Sequence, residues 1–435
     1  MDATVLGAGI SGLSAAYHLR KHGFTPTLYE KEGEAGGLCK SGQYDGLVFD
    51  YGPHISFTSN EYVKGLFKDS VAGDYDDKQV SCLNYWRGYW IEHEPQNNLH
   101  SLPNEIVRDI LLDVIHAKYD GNAEIMNYRD WCQKNFGVYF SKNFTDKYTR
   151  KFWTVEPQEL TTDWIGVRVN PQDLGRMIDG ALNTSGDNTH YASHFIYPRK
   201  GGFSSFLRLL EAESDIRLGT YPIEVDLQKR KIRFNKGIVE DYGILVSSIP
   251  LPELIACIKN APQEVCEAVN RLKWTSLRML NFRVDHRASS PSQWNYYYDE
   301  DIPYTRIVYM SRFSEDNAPG GCETMQAEIP YSPSKPLALE GDALTDEVVR
   351  CITRTEGIAA DELEYLGDFD IKYGYVIHDI ERKKALHTIH TYLDENDVYY
   401  CGRFGEWAYL WSDQALLSGM RVAEKIKQSI SPDLI

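Results

Sequence analysis

Residues 3–30 read ATVLGAGISGLSAAYHLRKHGFTPTLYE, and this stretch decides the fold. The apolar run from Ala3 to Leu6 predicts a strand, and Gly7, Gly9 and Gly12 follow it in the spacing G-x-G-x-x-G. In this motif the first glycine permits a tight turn, the second lets a pyrophosphate approach the backbone, and the third lets helix pack on strand. The helix that follows offers free N–H groups and its positive dipole end to phosphate. The stretch therefore predicts a dinucleotide-binding unit.

An acidic residue completes this unit. Glu30 closes the next predicted strand, eighteen positions after Gly12, where a carboxylate contacts ribose hydroxyls. The predicted cofactor site also includes Ile10 and Ser11 within the motif and Lys31 after the acid.

A second glycine pair favours FAD over NAD. Gly36 and Gly37 precede Leu38, and glycines there let the backbone come close to a cofactor. The strand that follows ends at Asp50, and it delivers a glycine turn and His54 towards the expected place of a flavin ring. Gly37, Leu38 and His54 therefore join the predicted FAD site.

The composition restricts the class of protein. At 435 residues the chain is long enough for two or three domains, and 42% hydrophobic with 25% charged residues is ordinary for a globular enzyme. A formal charge of −17 disfavours nucleic acid and anionic membranes as partners. We expect a cytoplasmic protein without a signal peptide or membrane span, because the first predicted strand begins almost at the first residue. We also expect no metal site, because the eight cysteines form no C-x-x-C pair.

The order of sequence patterns predicts an α/β fold in which a Rossmann-like FAD-binding domain carries a helical insertion and an antiparallel-sheet substrate domain. Helical spacing of apolar residues runs from Pro103 to about Ala181, and strand patterns recur between Leu277 and Tyr375. A further strand is predicted over Val398–Arg403, and a helix over Asp413–Gln428, in which Gly419 allows close packing. The expected boundaries are 1–85, 197–260 and 385–435 for the FAD-binding domain, 101–196 for the helical domain, and 86–100 and 261–384 for the sheet domain. Within the FAD-binding part, a buried strand is predicted over Tyr242–Ser248, just before Pro250.

Several further motifs occur in a specific order along nearly the whole chain. They are Gly52 to Phe57, Arg87 to Trp90, Gln96 to Pro103, Tyr148 with Trp153, Arg168 with Val169, Tyr197 to Gly202, Trp294 to Arg306 and Gly402 to Tyr409. With Gly36 to Leu38, these residues resemble the flavin-dependent UDP-galactopyranose mutases, especially the longer eukaryotic type, within the amine oxidase and protoporphyrinogen oxidase superfamily.

The resemblance implies a reaction without net redox change. In that family N5 of reduced FAD attacks the anomeric carbon of a nucleotide sugar, displaces the nucleoside diphosphate and holds the sugar as an adduct while its ring opens and recloses. Such chemistry needs a clamp for the departing diphosphate, for which guanidinium forks and tyrosine hydroxyls are suited. NAD(P)H as the reductant would have to bind in the same cleft, because no second G-x-G-x-x-G is present.

The resemblance also assigns residues to roles. It implies a catalytic set of His54, Arg168, Tyr296, Arg306, Tyr375 and Tyr409. It implies a substrate-binding set that adds Phe57, His93, Gln96, Tyr148, Thr149, Trp153 and Trp294. The FAD site gains Val225, Gly402, Arg403, Asp413 and Gln414.

The chain departs from the family pattern in three places. His93, Glu94 and Pro95 stand where the family carries a tyrosine and a phenylalanine near uracil, and Thr149 and Ala192 replace two asparagines. The loop after Tyr409 is shorter than in the family. These departures predict a nucleotide sugar whose base or sugar differs from that of UDP-galactose.

Two other functions stay open. A flavin oxidoreductase of the amine oxidase type is compatible with the same superfamily fold. A flavin-bound scaffold without turnover is the third interpretation, and the losses at Thr149 and Ala192 favour it. The sequence does not fix the oligomeric state.

Overall fold

The computed structural model describes residues 1–119, 124–169, 173–183, 193–286 and 291–430. The strands in chain order are β1 (Asp2–Leu6), β2 (Thr25–Tyr29), β3 (Ser41–Tyr44), β4 (Leu47–Asp50), β5 (Tyr75–Gln79), β6 (Cys82–Trp86), β7 (Tyr89–Glu92), β8 (His194–Pro198), β9 (Asp215–Arg217), β10 (Pro222–Asp226), β11 (Lys231–Phe234), β12 (Val239–Asp241), β13 (Ile244–Ser247), β14 (Trp274–Val284), β15 (Trp294–Tyr297), β16 (Arg306–Tyr309), β17 (Glu323–Tyr331), β18 (Leu363–Val376) and β19 (Val398–Tyr400). The α-helices are α1 (Ile10–Lys21), α2 (Glu61–Ser70), α3 (Asn104–Tyr119), α4 (Tyr128–Phe140), α5 (Asp146–Phe152), α6 (Leu174–Leu182), α7 (Arg208–Ala212), α8 (Leu251–Cys257), α9 (Gln263–Val269), α10 (Gly341–Glu356), α11 (Arg382–Glu395), α12 (Gly402–Gly405) and α13 (Ser412–Ile430).

A parallel sheet forms around the first strand, in the order β19-β13-β1-β2-β9. The apolar residues of β1 and β13 are buried, as expected for parallel strands with helices on both faces. Helices α1 and α13 pack closely against each other, because a Cβ at Gly419 would lie only 2.2 Å from the Ser11 carbonyl oxygen. The predicted α/β fold and the packing role of Gly419 are confirmed.

The second large sheet has the order β18-β14-β17-β16-β15-β6-β7. We call it the mixed sheet, because its strand pairs are antiparallel except for β6 and β15, which run parallel. The predicted antiparallel-sheet domain is confirmed, and β6 adds one parallel pair to it. Strand β6 belongs to an early part of the chain, and strands so far apart in sequence need not be joined by a hairpin.

Helices α3 to α6 occupy the segment for which the sequence predicts a helical insertion. Two predicted strands are shorter than expected. The strand predicted over Val398–Arg403 ends at Tyr400, because Gly402 has φ of +82° and begins α12. The strand predicted over Tyr242–Ser248 is Ile244–Ser247. The predicted domain boundaries stay a prediction, and within the described ranges no helix is both long and apolar enough to cross a membrane.

Candidate cofactor and substrate site

A cavity of about 450 Å³ opens at the carboxyl ends of the adjacent strands β1, β2 and β13. This edge of a parallel α/β sheet is where ligands bind as a rule. We call it the cofactor cavity. Of the predicted FAD-site residues, those that line it are Gly7, Gly9, Ile10, Ser11, Glu30, Lys31, Gly37, Leu38, His54 and Arg403.

The glycines shape the end of this cavity where β1 passes into α1. Gly7 has φ of +93°, a conformation that side chains rarely adopt, and a Cβ at Gly12 would lie 2.0 Å from the Gly7 carbonyl oxygen. Among the described residues, no side chain caps the N-terminus of α1, which begins at Ile10 beside the cavity. An uncapped helix N-terminus next to glycine backbone fits the pyrophosphate of FAD.

Glu30 is held in place by the backbone. Its two carboxylate oxygens accept hydrogen bonds from Ala8 N at 2.8 Å and from Glu32 N at 3.0 Å. The carboxylate lines the cofactor cavity and retains acceptor capacity, because each oxygen has a second lone pair. This arrangement fits the predicted contact with ribose hydroxyls.

His54 also lines the cofactor cavity, on the turn that follows β4. Its Nδ1 is 3.0 Å from the Gly52 carbonyl oxygen. Since a carbonyl only accepts, Nδ1 carries the proton of the neutral ring and Nε2 is the acceptor. Burial, together with the charge of Arg403, lowers the pKa of His54 to about 4. The imidazole is therefore neutral at physiological pH.

A smaller cavity of about 110 Å³ adjoins the cofactor cavity, and we call it the substrate cavity. The residues that line both cavities, and so form their shared wall, are Leu38, Tyr51, His54, Arg403, Trp411 and Ser412. The predicted site residues that line only the substrate cavity are Phe57, Trp294, Tyr296, Arg306, Tyr375 and Tyr409. The fold thus brings six side chains from distant parts of the chain to one place beside the cofactor cavity.

Arg306 is the central cation of the substrate cavity. Its Nη2 donates to the fully buried Glu328 carboxylate and to the Tyr375 hydroxyl at 2.9 Å. Its Nε is also buried and has no hydrogen-bond partner among the described residues. Buried donors are nearly always paired, so an unpaired N–H on a side chain that lines a cavity favours a bound group close to this guanidinium.

Arg168 does not line either cavity. It ends a short 3-10 turn and donates from Nη2 to the Tyr409 carbonyl oxygen at 2.5 Å. Its guanidinium also lies over the rings of Tyr409 and Trp411, at 4.6 and 4.4 Å from their centroids. Arg168 therefore supports the wall of the substrate cavity from behind.

Other predicted substrate residues form a layer around Tyr296 and Tyr409. Tyr148 meets Tyr296 edge to face, with ring centroids 5.9 Å apart, and His93 lies 5.2 Å from the same ring. Trp153 meets Tyr409 at 5.3 Å. None of these three lines the substrate cavity.

Two further predicted residues are buried next to this layer. Thr149 accepts a backbone hydrogen bond from Trp153, and Gln96 donates to Glu94 at 3.3 Å. Ala192 lies outside the described residues.

Five predicted FAD-site residues do not line the cofactor cavity: Gly12, Val225, Gly402, Asp413 and Gln414. Gly12 acts through helix packing, and the carbonyl of the buried Val225 accepts from Lys259 N. Asp413 accepts from Thr58 at 2.8 Å, and Gln414 accepts from Trp411 N at 3.0 Å.

Sequence reasoning missed Glu328 and Trp411 as site residues. Glu328 is one of two fully buried acids in strand β17, the other being Glu323, and a buried acid between Ala327 and Ile329 is the signal that could have revealed it. Trp411 meets Phe57 edge to face at 4.8 Å and lines both cavities. Its only sequence signal is its place in the shortened loop after Tyr409.

Comparison with known proteins agrees with this architecture. A family model of the NAD(P)-binding Rossmann-like domain matches residues 5–70. The 4,4'-diapolycopene oxygenase of Methylomonas sp is 36% identical over 428 residues, which cover 85% of each chain.

Two other curated relatives match over shorter segments. A mitochondrial protoporphyrinogen oxidase of Nicotiana tabacum is 54% identical over 152 residues, which are 33% of this chain and 30% of that enzyme. The match therefore spans less than a third of the tobacco enzyme. The UDP-galactopyranose mutase of Mycoplasma pneumoniae is 46% identical over 65 residues, which are 14% of this chain and 16% of that enzyme.

Among solved structures, the crystal structure of a reduced UDP-galactopyranose mutase superposes with a TM-score of 0.92 at 23% identity, covering 99% of this chain and 96% of that one. A relative that matches most of the chain shows the superfamily, and this superposition shows the fold. The chain therefore belongs to the amine oxidase and protoporphyrinogen oxidase superfamily of FAD-dependent proteins, and its fold is that of the UDP-galactopyranose mutases.

Proposed function

We propose that this protein is a cytoplasmic, FAD-dependent mutase that interconverts the pyranose and furanose forms of a nucleotide sugar. The observation that carries the proposal is Arg306, which lines the substrate cavity beside Tyr296 and Tyr375 and whose buried Nε has no hydrogen-bond partner among the described residues. A guanidinium surrounded by tyrosines suits the oxygens of a diphosphate. The close fold match with a mutase supports the same reaction.

The chain's own residues would stabilise the departing diphosphate. Arg306 provides fixed positive charge, and Glu328 and Tyr375 both hold its Nη2 atom. Burial raises the pKa of Tyr296 and Tyr375 above the usual value, so both phenols are neutral donors at pH 7. Donors fixed in advance where charge develops are the largest single contribution in many enzymes.

Reduced FAD, when bound, would supply the nucleophilic N5 atom, and NAD(P)H is the reductant that we propose. The neutral His54 at the shared wall would present Nε2 as an acceptor towards the cofactor. Aromatic side chains at the same wall, such as Trp411, would exclude water from the reacting atoms.

The substrate pocket of this chain supports a nucleotide sugar other than UDP-galactose. His93 lies against Tyr296, and Glu94 is buried beside Gln96, where the family has aromatic residues near uracil. Thr149 lacks the amide that the family carries at this point.

An FAD-dependent oxidoreductase is the second candidate. It is favoured by the oxygenase relative that matches 85% of the chain. The aromatic side chains of Phe57, Trp294 and Trp411 around the substrate cavity would equally suit an apolar substrate.

One experiment separates the two candidates. The protein is reduced with dithionite under anaerobic conditions and incubated with a panel of UDP-, GDP- and dTDP-sugars, and the products are analysed by chromatography and mass spectrometry. A mutase gives a new isomer of unchanged mass, and only with reduced flavin. The oxidised protein is incubated with the same panel in parallel, and there a product of altered mass, together with reduction of the flavin by the substrate alone, would replace the mutase by the oxidoreductase.

A further inference from the structure

The turn that carries His54 is held by buried polar groups from several elements. The Asp50 carbonyl accepts from Gly52 N at 2.8 Å, and the Gly52 carbonyl accepts from His54 Nδ1 at 3.0 Å. The direction of the Asp50 carbonyl therefore determines the orientation of the Gly52 peptide, and the Gly52 carbonyl in turn determines the orientation of the His54 imidazole. We call residues 50–54 the histidine turn.

A side chain of the mixed sheet also reaches this carbonyl. Gln326, on β17, donates from Nε2 to the Asp50 carbonyl at 2.9 Å. The same nitrogen donates to Asn281 Oδ1, on β14, at 2.8 Å. Asn281 and Gln326 are paired across the two strands and are fully buried.

The orientation of the Gln326 amide is fixed by these two bonds. A flipped amide would turn its own oxygen towards the Asp50 carbonyl and towards Asn281 Oδ1, and oxygen would then face oxygen at both contacts. Burying two amides in a sheet costs free energy that an apolar pair would not. The pair therefore has a consequence beyond filling the core.

The position of Gln326 along β17 reveals that consequence. Side chains two residues apart on a strand lie on the same face, so Gln326 and Glu328 share one face of β17. Gln326 holds the histidine turn of the cofactor cavity, and Glu328 holds Arg306 of the substrate cavity. One strand thus fixes His54 and Arg306 relative to each other.

We propose that Gln326, supported by Asn281, is a positioning residue that orients the histidine turn towards the cofactor. It acts through the Asp50 carbonyl and sets the place of the His54 ring at the shared wall of the two cavities. The inference depends on FAD filling the cofactor cavity and not on the identity of the reaction.

The test uses the FAD-loaded protein and two variants. Gln326→Leu keeps a similar volume and removes both donors, whereas Gln326→Glu keeps the shape but, protonated by burial, has one O–H donor for the two acceptors. We expect both variants to shift the visible absorption maxima of the flavin, its midpoint potential and the NMR resonances of the His54 ring.

A second buried amide provides the matched control. Asn295, on β15 of the same sheet, is fully buried and bonds with Tyr309 and Ser292, away from the histidine turn. Asn295→Leu should lower thermal stability and leave the flavin spectrum, midpoint and His54 resonances as in the parent protein.

If the Gln326 variants do not fold, Asn281→Ala tests the same point, since it leaves Gln326 in place and removes the acceptor that orients its amide. Flavin and His54 signals that match those of Asn295→Leu would overturn the proposal. The proposed function is tested separately. If the Gln326 variants show the expected shifts but the parent protein isomerises no nucleotide sugar, the proposed function is refuted and the positioning role of Gln326 stands.

Discussion

Among the described residues, two arginines pair with fully buried glutamates of β17, and only Arg306 of these two arginines lines the substrate cavity. Arg306 pairs with Glu328 at that cavity, whereas Arg312 pairs with Glu323 outside it. Both glutamates are fully buried, so removal of either arginine would leave an unpaired buried charge and cost about 3 to 5 kcal/mol of stability. A lysine substitution avoids this effect because it keeps the positive charge.

Arg306→Lys should therefore fold and retain FAD, but bind nucleoside diphosphate more weakly. The loss of one charged hydrogen bond corresponds to about 1.5 kcal/mol, or roughly tenfold in Kd, because lysine lacks the planar fork. Isothermal titration with UDP, GDP and dTDP measures the change. Arg312→Lys is the control and should leave affinity unchanged, and equal affinities in both variants would exclude Arg306 from diphosphate binding.

His54 should remain neutral well below the usual range of histidine. Burial lowers its pKa from 6.5 to about 4, so the folded protein binds this proton less readily than the unfolded chain. The stabilising effect of the neutral ring is complete above pH 6.5 and is lost as the pH falls from there towards 4. NMR titration of the ring, assigned with His54→Gln, should show no protonation above about pH 5. A midpoint near the ordinary histidine value would contradict the buried position.

At the scale of elements, the contact between α1 and α13 depends on backbone proximity. A Cβ at Gly419 would lie 2.2 Å from the Ser11 carbonyl oxygen and 2.8 Å from Ala15 N. Both neighbours are backbone atoms of α1, so they cannot yield as a flexible side chain would. Because the N-terminus of α1 borders the cofactor cavity, any displacement of this helix also moves the predicted pyrophosphate site.

Gly419→Val should consequently lower thermal stability by at least the roughly 1 to 3 kcal/mol typical of overpacking, and it should reduce the amount of FAD that copurifies. Gly65 is the control, since it lies in α2 and no described atom outside that helix comes within 4 Å of the place that a Cβ would occupy. Gly65→Ala should stabilise the protein by up to about 1 kcal/mol. Calorimetry and flavin absorbance measure both effects. Full FAD content in Gly419→Val would disprove the link between helix packing and cofactor binding.

The elements that the sequence predicts well are those with local signals. Glycine spacing and the acid at Glu30 depend on a contiguous stretch, and β1, α1 and β2 follow from it. The parallel pairing of β6 with β15 and the contact of Gln326 with Asp50 join residues more than 200 positions apart. No local pattern encodes such pairings, so they become visible only in the folded chain.

The same division holds for the candidate site. Resemblance to a family predicts Arg306 and Tyr375, and the fold places both at the substrate cavity. Glu328 and Trp411 escape prediction, because their roles depend on which side chains meet across strands and loops. Arg168 is predicted as a contact residue, yet it lies behind Tyr409.

At the scale of the whole molecule, the cofactor cavity connects the two large sheets. Its lining includes Gly9 and Glu30 after strands of the parallel sheet, Lys372 and Tyr373 in β18 of the mixed sheet, and Trp411 before α13. A ligand that fills this cavity contacts elements from both ends of the chain. FAD should therefore stabilise the entire fold and not merely the Rossmann-like part at its start.

We expect the purified protein to be yellow and to release FAD on denaturation, since no attachment motif for a covalent flavin is present in the sequence. Added back to apoprotein at about 100 times its Kd, FAD should stabilise the fold by about 2.7 kcal/mol. FMN lacks the adenosine monophosphate part of FAD, whose ribose Glu30 would contact and whose phosphate would lie at the α1 N-terminus, so at equal concentration it should raise Tm much less. Differential scanning calorimetry of apoprotein with FAD, FMN or ADP measures the comparison. Equal stabilisation by FMN and FAD would show that the β1–α1–β2 end of the cavity does not bind the adenosine diphosphate half of the cofactor.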